Sequence, residues 1–262
     1  MSSHAVFIMP AVPHLPAPDW RALERSMLER GLLLADNGDG VPLVALREFM
    51  FALVSAGTGV PYRWNPAWKA PQDVVSGFVT QGVLPLGVNL PGSINLEGAV
   101  ASLRAQGVKL DDSWMPAEAS QATWASPRYR VGAAMKAFFF GSSEEERAEF
   151  ALTLLEFDDE PLVVMGAGTA PPSRRGRDES LEELQPYGSF MDFIGAVYED
   201  LDTVWVDAEG CSHHAMDLDW DKGFGIGRRM LMLEGAEIDY ERFAAEIGRL
   251  VGTPMVDVHR QL

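Results

Sequence analysis

The stretch RRMLMLEGAEIDYERFAAEIGRLVGTPMVDVH, from Arg228 to His259, decides the fold class of this chain of 262 residues. It predicts a strand over 228–235, a helix over 239–252 and a second strand over 254–259. The strand segments are short apolar runs, whereas apolar residues in the helix segment recur three or four positions apart, as on one face of a helix. Short strands that alternate with helices along the chain are typical of α/β and α+β domains.

The same alternation extends outward along the chain. A strand at 5–9 precedes a helix that begins after the N-cap Asp19 and stops at Gly31. The remaining expectations are strands at 48–56, 136–141, 161–166 and 203–207, and helices at 71–82, 95–107, 142–157 and 189–201. Proline-rich connections fit regular parallel winding poorly. The sequence therefore predicts an α+β fold, with a mixed or mainly antiparallel sheet and helices packed on one face. Two related α/β halves, or parallel winding, are the alternatives.

Charge divides the chain unequally. Residues 1–131 have a net charge of −1 and residues 132–262 a net charge of −16, which together give the −17 of the whole chain. The regular pattern also breaks down over 113–130, just before the charge changes. We therefore expect a near-neutral α/β half over 1–131 and a strongly acidic α/β half over 132–262, with one continuous domain as the alternative.

The composition excludes several classes of partner. A strongly acidic chain lacks the basic face that neutralises phosphates, so we expect neither nucleic acid nor an anionic membrane as partner. Its electric field attracts a basic protein instead. The proline-broken start has no basic n-region, and the single cysteine, Cys211, forms no internal disulfide. We therefore expect a cytoplasmic protein.

The stretch GCSHHAMDLDWDKGFGIGRR, Gly210 to Arg229, is the densest group of chemically active residue types. His213, His214 and Asp217 have donor atoms suited to a metal ion, and a metal-dependent hydrolase or metal-binding sensor built on residues 211–221 is an alternative function. The alternating aspartates are spaced as in a calcium loop, but Lys222 and Arg228 replace the required Gly and Glu. Adjacent histidines on a strand also point to opposite faces.

Other catalytic motifs are missing from the sequence. The glycines of GFGIGRR (223–229) do not match a dinucleotide fingerprint, and neither a Walker A sequence nor a nucleophile elbow occurs. We therefore predict a non-catalytic protein without a cofactor.

The acidic half offers a candidate binding face instead. Carboxylates follow one another around the predicted helix at 189–201 and the strand at 203–207, and aromatic residues, which are good interface anchors, lie among them. The predicted partner-binding residues are Tyr198, Glu199, Asp200, Asp202, Asp207, Glu209, Asp217, Asp219, Trp220 and Asp221.

In general character the chain resembles the bacterial immunity proteins that neutralise polymorphic or type VI secreted toxins, and the stretch YGSFMDFIGAVYEDL (187–201) followed by TVWVDAEG (203–210) carries the resemblance. The resemblance implies a cytoplasmic α+β inhibitor that covers the active cleft of a cognate toxin. Such a toxin is often a basic nuclease, whose phosphate-binding side chains the carboxylates would contact. A secretion accessory or scaffold protein is the remaining alternative.

Overall fold

A computed structural model describes residues 4–38, 40–57, 67–92, 94–110, 121–141, 143, 147, 149–166, 169–177, 179–181, 183–235 and 237–261. Its helices are α1 (Trp20–Glu29), α2 (Leu43–Gly57), α3 (Pro71–Thr80), α4 (Leu96–Ala105), α5 (Phe190–Glu199) and α6 (Tyr240–Val251). Its strands are β1 (His4–Pro10), β2 (Trp124–Ala125), β3 (Tyr129–Arg130), β4 (Ala151–Glu156), β5 (Leu162–Met165), β6 (Ser173–Arg174), β7 (Val204–Val206), β8 (Ser212–His214), β9 (Leu218–Asp219), β10 (Phe224–Gly227), β11 (Arg229–Glu234) and β12 (Met255–Gln261). The predicted α+β class is confirmed.

The central sheet has the strand order β12-β1-β11-β4-β2, and β3 pairs with β4 beside β2. Every pairing in it is antiparallel. Because β11 and β12 both run antiparallel to β1, they run parallel to each other, and α6 connects them. The opening stretch of the sequence therefore forms a split β-α-β unit whose gap is filled by the first strand of the chain.

Two capped helices pack against this sheet. In α6 the Asp239 side chain accepts a hydrogen bond from the backbone N–H of Arg242, and Gly252 ends the helix in the left-handed conformation. In α1 the predicted N-cap Asp19 is confirmed, and Trp20, Leu23 and Met27 form the buried face of the helix. The Trp20 indole N–H donates to the Met230 carbonyl over 3.2 Å, which ties α1 to β11.

A ribbon formed by β5 and β10 packs against β1 and β12. Gly225 of β10 allows this approach: a Cβ atom at this position would lie 2.7 Å from the Met9 sulfur and 2.7 Å from a Val258 methyl group. A larger residue at 225 would therefore force the ribbon away from the core.

Three predictions of local structure were wrong. Residues 48–56 lie within helix α2, because a continuous apolar run does not distinguish a buried strand from a buried helix. The segment 142–157, predicted as a helix, contains strand β4, whose residues are almost all buried in the sheet. The segment expected as a strand at 136–141 begins within a 3-10 helix, Ala133–Phe138. Ser143 and Glu146 are spaced as a capping box at the start of the helix predicted at 142–157, but Glu146 lies outside the described residues.

The chain divides into two compact units, whose bounds differ from those of the two charge-defined halves. Unit 1 consists of Met1–Leu34 and Ala117–Leu262 and contains the sheet, whereas unit 2 is Ala35–Pro116 and contains α2, α3 and α4. The core of unit 2 is apolar, with Phe49 and Phe78 in edge-to-face contact at 5.2 Å. The net charge is −15 for unit 1 and −2 for unit 2.

Candidate functional site

The hairpin of β7 and β8 contains two of the predicted contact carboxylates, Asp207 and Glu209, which we call the hairpin pair. Only 3% of the Asp207 side chain is exposed. One carboxylate oxygen accepts hydrogen bonds from the backbone N–H groups of Glu209 and Cys211, each at 2.9 Å. The other lies 3.0 Å from the Arg174 guanidinium and 3.1 Å from His213 Nε2. Asp207 therefore organises the inside of the hairpin.

This environment favours the charged form of Asp207. The hydrogen bond from the Cys211 backbone and the one from His213 hold the pKa of Asp207 well below its usual range, and Arg174 adds to the effect, although burial opposes it. Glu209, which is exposed, lies 3.3 Å from Arg174 and 3.1 Å from Arg177. The charges of the hairpin pair are thus balanced by cations of the same chain.

Three other predicted carboxylates, Glu199, Asp200 and Asp202, form what we call the α5 patch. All three are exposed, and none pairs with a basic side chain of the described residues. Glu199 is the last residue of α5, and Asp200 and Asp202 follow it, at the helix end where the dipole favours cations over anions. Asp200 accepts a hydrogen bond from the Asp202 backbone N–H over 3.0 Å, which orders the turn without balancing its charge.

Tyr198 precedes the α5 patch and is 37% exposed. Its hydroxyl donates a hydrogen bond to the Glu160 carboxylate over 2.6 Å, and this bond raises the pKa of Tyr198 above its usual value. The sequence showed Glu160 only as one of many acidic residues. The structure adds it to the surroundings of the α5 patch.

The α5 patch lines a cleft of about 410 Å³. Another part of the lining comes from the proline-rich segment 10–18, and the remaining residues include Arg228 and Arg229. Arg229 is paired with Glu156 at 3.4 Å and with Asp158 at 3.1 Å, and Arg228 donates to backbone carbonyls, including that of Asp159 at 2.9 Å. Sequence reasoning missed this cleft, because its walls lie almost two hundred residues apart in the chain.

Histidine stacking fixes the proline-rich segment to the hairpin. The rings of His14 and His214 are stacked at a centroid distance of 3.6 Å, with an angle of 9° between their planes. His213 points to the other face of β8, as predicted for adjacent strand residues, and stacks on Trp205 at 5.4 Å. The two histidines of the metal hypothesis therefore lie in separate environments.

The remaining predicted contacts follow the hairpin. We call Asp217, Asp219 and Asp221 the turn patch. All three are exposed, and none forms an ion pair with a described residue. Asp217 accepts a hydrogen bond from the His214 backbone N–H over 2.9 Å. Since Val204 and His214 are directly paired, Asp202 and Asp217 flank the same end of the hairpin.

Trp220 lies within the turn patch, but it is buried. Its indole N–H donates to the Ala215 carbonyl over 2.7 Å, and its ring packs against Phe224 at a centroid distance of 4.3 Å. The next two residues, Asp221 and Lys222, adopt left-handed conformations, with φ angles of 48° and 61°. Trp220 therefore anchors a tight turn that presents the neighbouring aspartates.

The donor atoms of the metal hypothesis do not converge in the structure. The Asp217 carboxylate accepts a hydrogen bond from the backbone N–H of His214, while the His213 ring bonds to Asp207. Throughout the part of the chain that the structure describes, no group of three His, Cys, Asp or Glu side chains could hold a metal ion.

Comparisons with known proteins add no relatives. Neither the protein-family models nor the characterised proteins nor the solved structures include a match to this chain. Among the described helices, none has both the length and the apolar character needed to cross a membrane.

Proposed function

We propose that this chain is a non-catalytic immunity protein that binds and inhibits a cognate secreted toxin through a basic surface of that toxin. The observation that carries the proposal is the contrast among the carboxylates of unit 1. The hairpin pair is neutralised by Arg174 and Arg177, whereas the α5 patch and the turn patch have no described cationic partner. Six exposed carboxylates without a described cationic partner attract a basic protein and accelerate its association.

One exposed aromatic residue supports a protein partner over a free cation. Tyr198 is exposed beside the α5 patch, and tyrosine is among the residues that dominate protein interfaces. Its hydroxyl is held by Glu160, so the ring loses little side-chain freedom on binding. An inhibitor of this kind requires no chemistry of its own, since covering the active cleft of the toxin is sufficient. The resemblance to immunity proteins is the reason for proposing a secreted toxin as the partner.

The test begins with capture of the partner from the native host. The tagged chain is the bait, and a variant with all six patch carboxylates changed to Asn or Gln is the comparison. A control variant carries Glu29→Gln, Glu179→Gln and Glu183→Gln, three exposed carboxylates outside both patches, and so removes half as many charges as the six-site variant. We expect the wild-type chain and the control to retain a basic protein at about 50 mM salt and to release it at a few hundred millimolar.

Inhibition is tested next, by expressing the captured protein in a bacterial host. Growth should stop when it is expressed alone and recover when the wild-type chain is co-expressed, but not when the six-site variant is. Capture of no basic protein would contradict the proposal. A captured protein that is harmless on its own would favour a secretion accessory or scaffold role instead.

A further inference from the structure

We infer that the cleft between the proline-rich segment 10–18 and the α5 patch is the subsite that receives an extended, arginine-bearing segment of the basic partner. This inference rests on the proposed function and deepens it, since it names the part of the partner that is recognised. The cleft has two chemically different walls, and an arginine side chain matches both.

The first wall is apolar and preformed. It consists mainly of proline and aliphatic residues, and Leu15 projects into solvent with 54% of its surface exposed. A backbone hydrogen bond from Leu15 to Val12, at 3.1 Å, closes a turn at its centre. The stacking of His14 on His214 fixes that turn to the hairpin. An occupant with an aliphatic stem can therefore bury apolar surface there without ordering the wall.

The second wall carries the three carboxylates of the α5 patch. They lie at the C-terminal end of a helix, where the backbone carbonyls add further negative potential. A guanidinium group has five donors in a planar fork and binds carboxylates through paired hydrogen bonds. Arginine also keeps its charge on a stem long enough to cover Leu15, which a compact cation does not.

The two arginines of the cleft do not reverse this charge preference. Arg229 is committed to Glu156 and Asp158, and Arg228 to the backbone carbonyls of Asp158 and Asp159. Both arginines still repel a cationic occupant, so removing the charge of Arg228 should strengthen the binding of such an occupant. The volume of about 410 Å³ is near the lower end of the range for ligand pockets, so the cleft accepts side chains of an extended segment, not a helix or a domain.

The experiment uses capped eight-residue peptides of alternating leucine and arginine, leucine and lysine, or leucine and glutamate, each labelled for fluorescence anisotropy. We expect the arginine peptide to bind most tightly and the glutamate peptide not to bind. The triple variant Glu199→Gln, Asp200→Asn, Asp202→Asn should weaken binding about tenfold, and Leu15→Ser about threefold. The triple control at Glu29, Glu179 and Glu183 should change affinity less than twofold.

Arg228→Gln decides the sign of the occupant's charge. Binding of the arginine peptide should strengthen about twofold to threefold, because a repelling charge is removed. Weaker binding would overturn the inference, since Arg228 would then contribute to binding instead of repelling a cationic occupant. Equal losses in the α5 triple variant and in the control would also overturn it, because the effect would then come from net charge alone. NMR chemical-shift changes on addition of the arginine peptide that are confined to residues 217–221 would also overturn the inference, because the peptide would then bind outside the cleft.

The partner capture described above separates this inference from the proposed function. If the captured basic protein binds the α5 triple variant as tightly as the wild-type chain, the cleft is not its docking site, while the proposed function stands. If the wild-type chain captures no basic protein, the proposed function fails whatever the peptides do.

Discussion

The hairpin pair and the α5 patch lie within ten residues of each other and look alike in the sequence, yet the structure uses them differently. Asp207 is enclosed by Arg174, His213 and two backbone N–H groups, whereas Asp202 faces solvent without a described cation. The first kind of carboxylate stabilises the fold and the second leaves its charge available to a partner. Net charge alone therefore overstates the area that an acidic protein offers for binding.

The largest difference should appear when the same substitution is made in both regions. Asp207→Ala leaves the Arg174 guanidinium and two backbone donors without their acceptor inside the hairpin, so we expect it to lower the Tm by more than any single substitution in the α5 patch. Asp202→Ala, at an exposed position, should change the free energy of unfolding by no more than about 0.5 kcal/mol. Thermal and urea unfolding measure both. Similar losses of stability in the two variants would contradict the view that Asp207 stabilises the fold whereas Asp202 does not.

The pH dependence of stability sharpens the same contrast. The pKa of Asp207 is lowered in the folded state, so its charge stabilises the fold above the unfolded-state pKa of about 4 and this contribution is lost as the pH falls below it. The difference in the free energy of unfolding between the wild-type chain and Asp207→Ala should therefore be largest near neutral pH. It should narrow progressively below about pH 4. A difference that stays constant down to pH 2 would mean that the charge of Asp207 is not what stabilises the hairpin.

A charge reversal at the end of α5 should separate stability from binding. Glu199 is the last residue of α5, and Glu29 is likewise the exposed last residue of α1. A lysine at either position interacts favourably with its helix dipole, so Glu199→Lys and Glu29→Lys should each raise the free energy of unfolding by about 0.3–1 kcal/mol. Only Glu199→Lys should weaken binding of the basic partner. Equal binding by the two variants would count against the α5 patch as an interface.

The sequence predicted the parts of the fold that depend on local periodicity and capping. The strand-helix-strand unit at 228–259 and the N-cap Asp19 are confirmed. The segment 48–56 and the run Ala151–Glu156 within 142–157 were assigned incorrectly, because short, mostly apolar runs do not distinguish a buried helix from a buried strand. Tertiary packing decides such segments, and it places one in a helix and the other in the sheet.

The candidate site was predictable only in its composition. All ten predicted contact residues lie in unit 1, but their availability depends on partners distant in sequence. Arg174, which neutralises Asp207, lies 33 residues before it, and His14 lies 200 residues before the ring on which it stacks. No local pattern shows that one acidic residue has a distant cation and its neighbour has none. For the same reason the cleft could not be predicted.

The smallest effect should come from the outer ion pair of the hairpin, and it tests whether the hairpin pair acts as one unit. Arg177 and Glu209 are each about half exposed, so their contact at 3.1 Å is screened by water, and Glu209 keeps Arg174 as a second partner. Arg177→Ala should therefore change the free energy of unfolding by no more than about 0.5 kcal/mol, measured by urea unfolding. Arg174→Ala should cost clearly more, because Arg174 also contacts the buried Asp207. Equal costs would show that the exposed part of the network matters as much as its buried part, and that Glu209 is held as firmly as Asp207. The expected small cost for Arg177→Ala would mean that Arg174 is the main partner of Glu209. Because Arg174 also binds the buried Asp207, it would stay in place when a basic partner competes for Glu209.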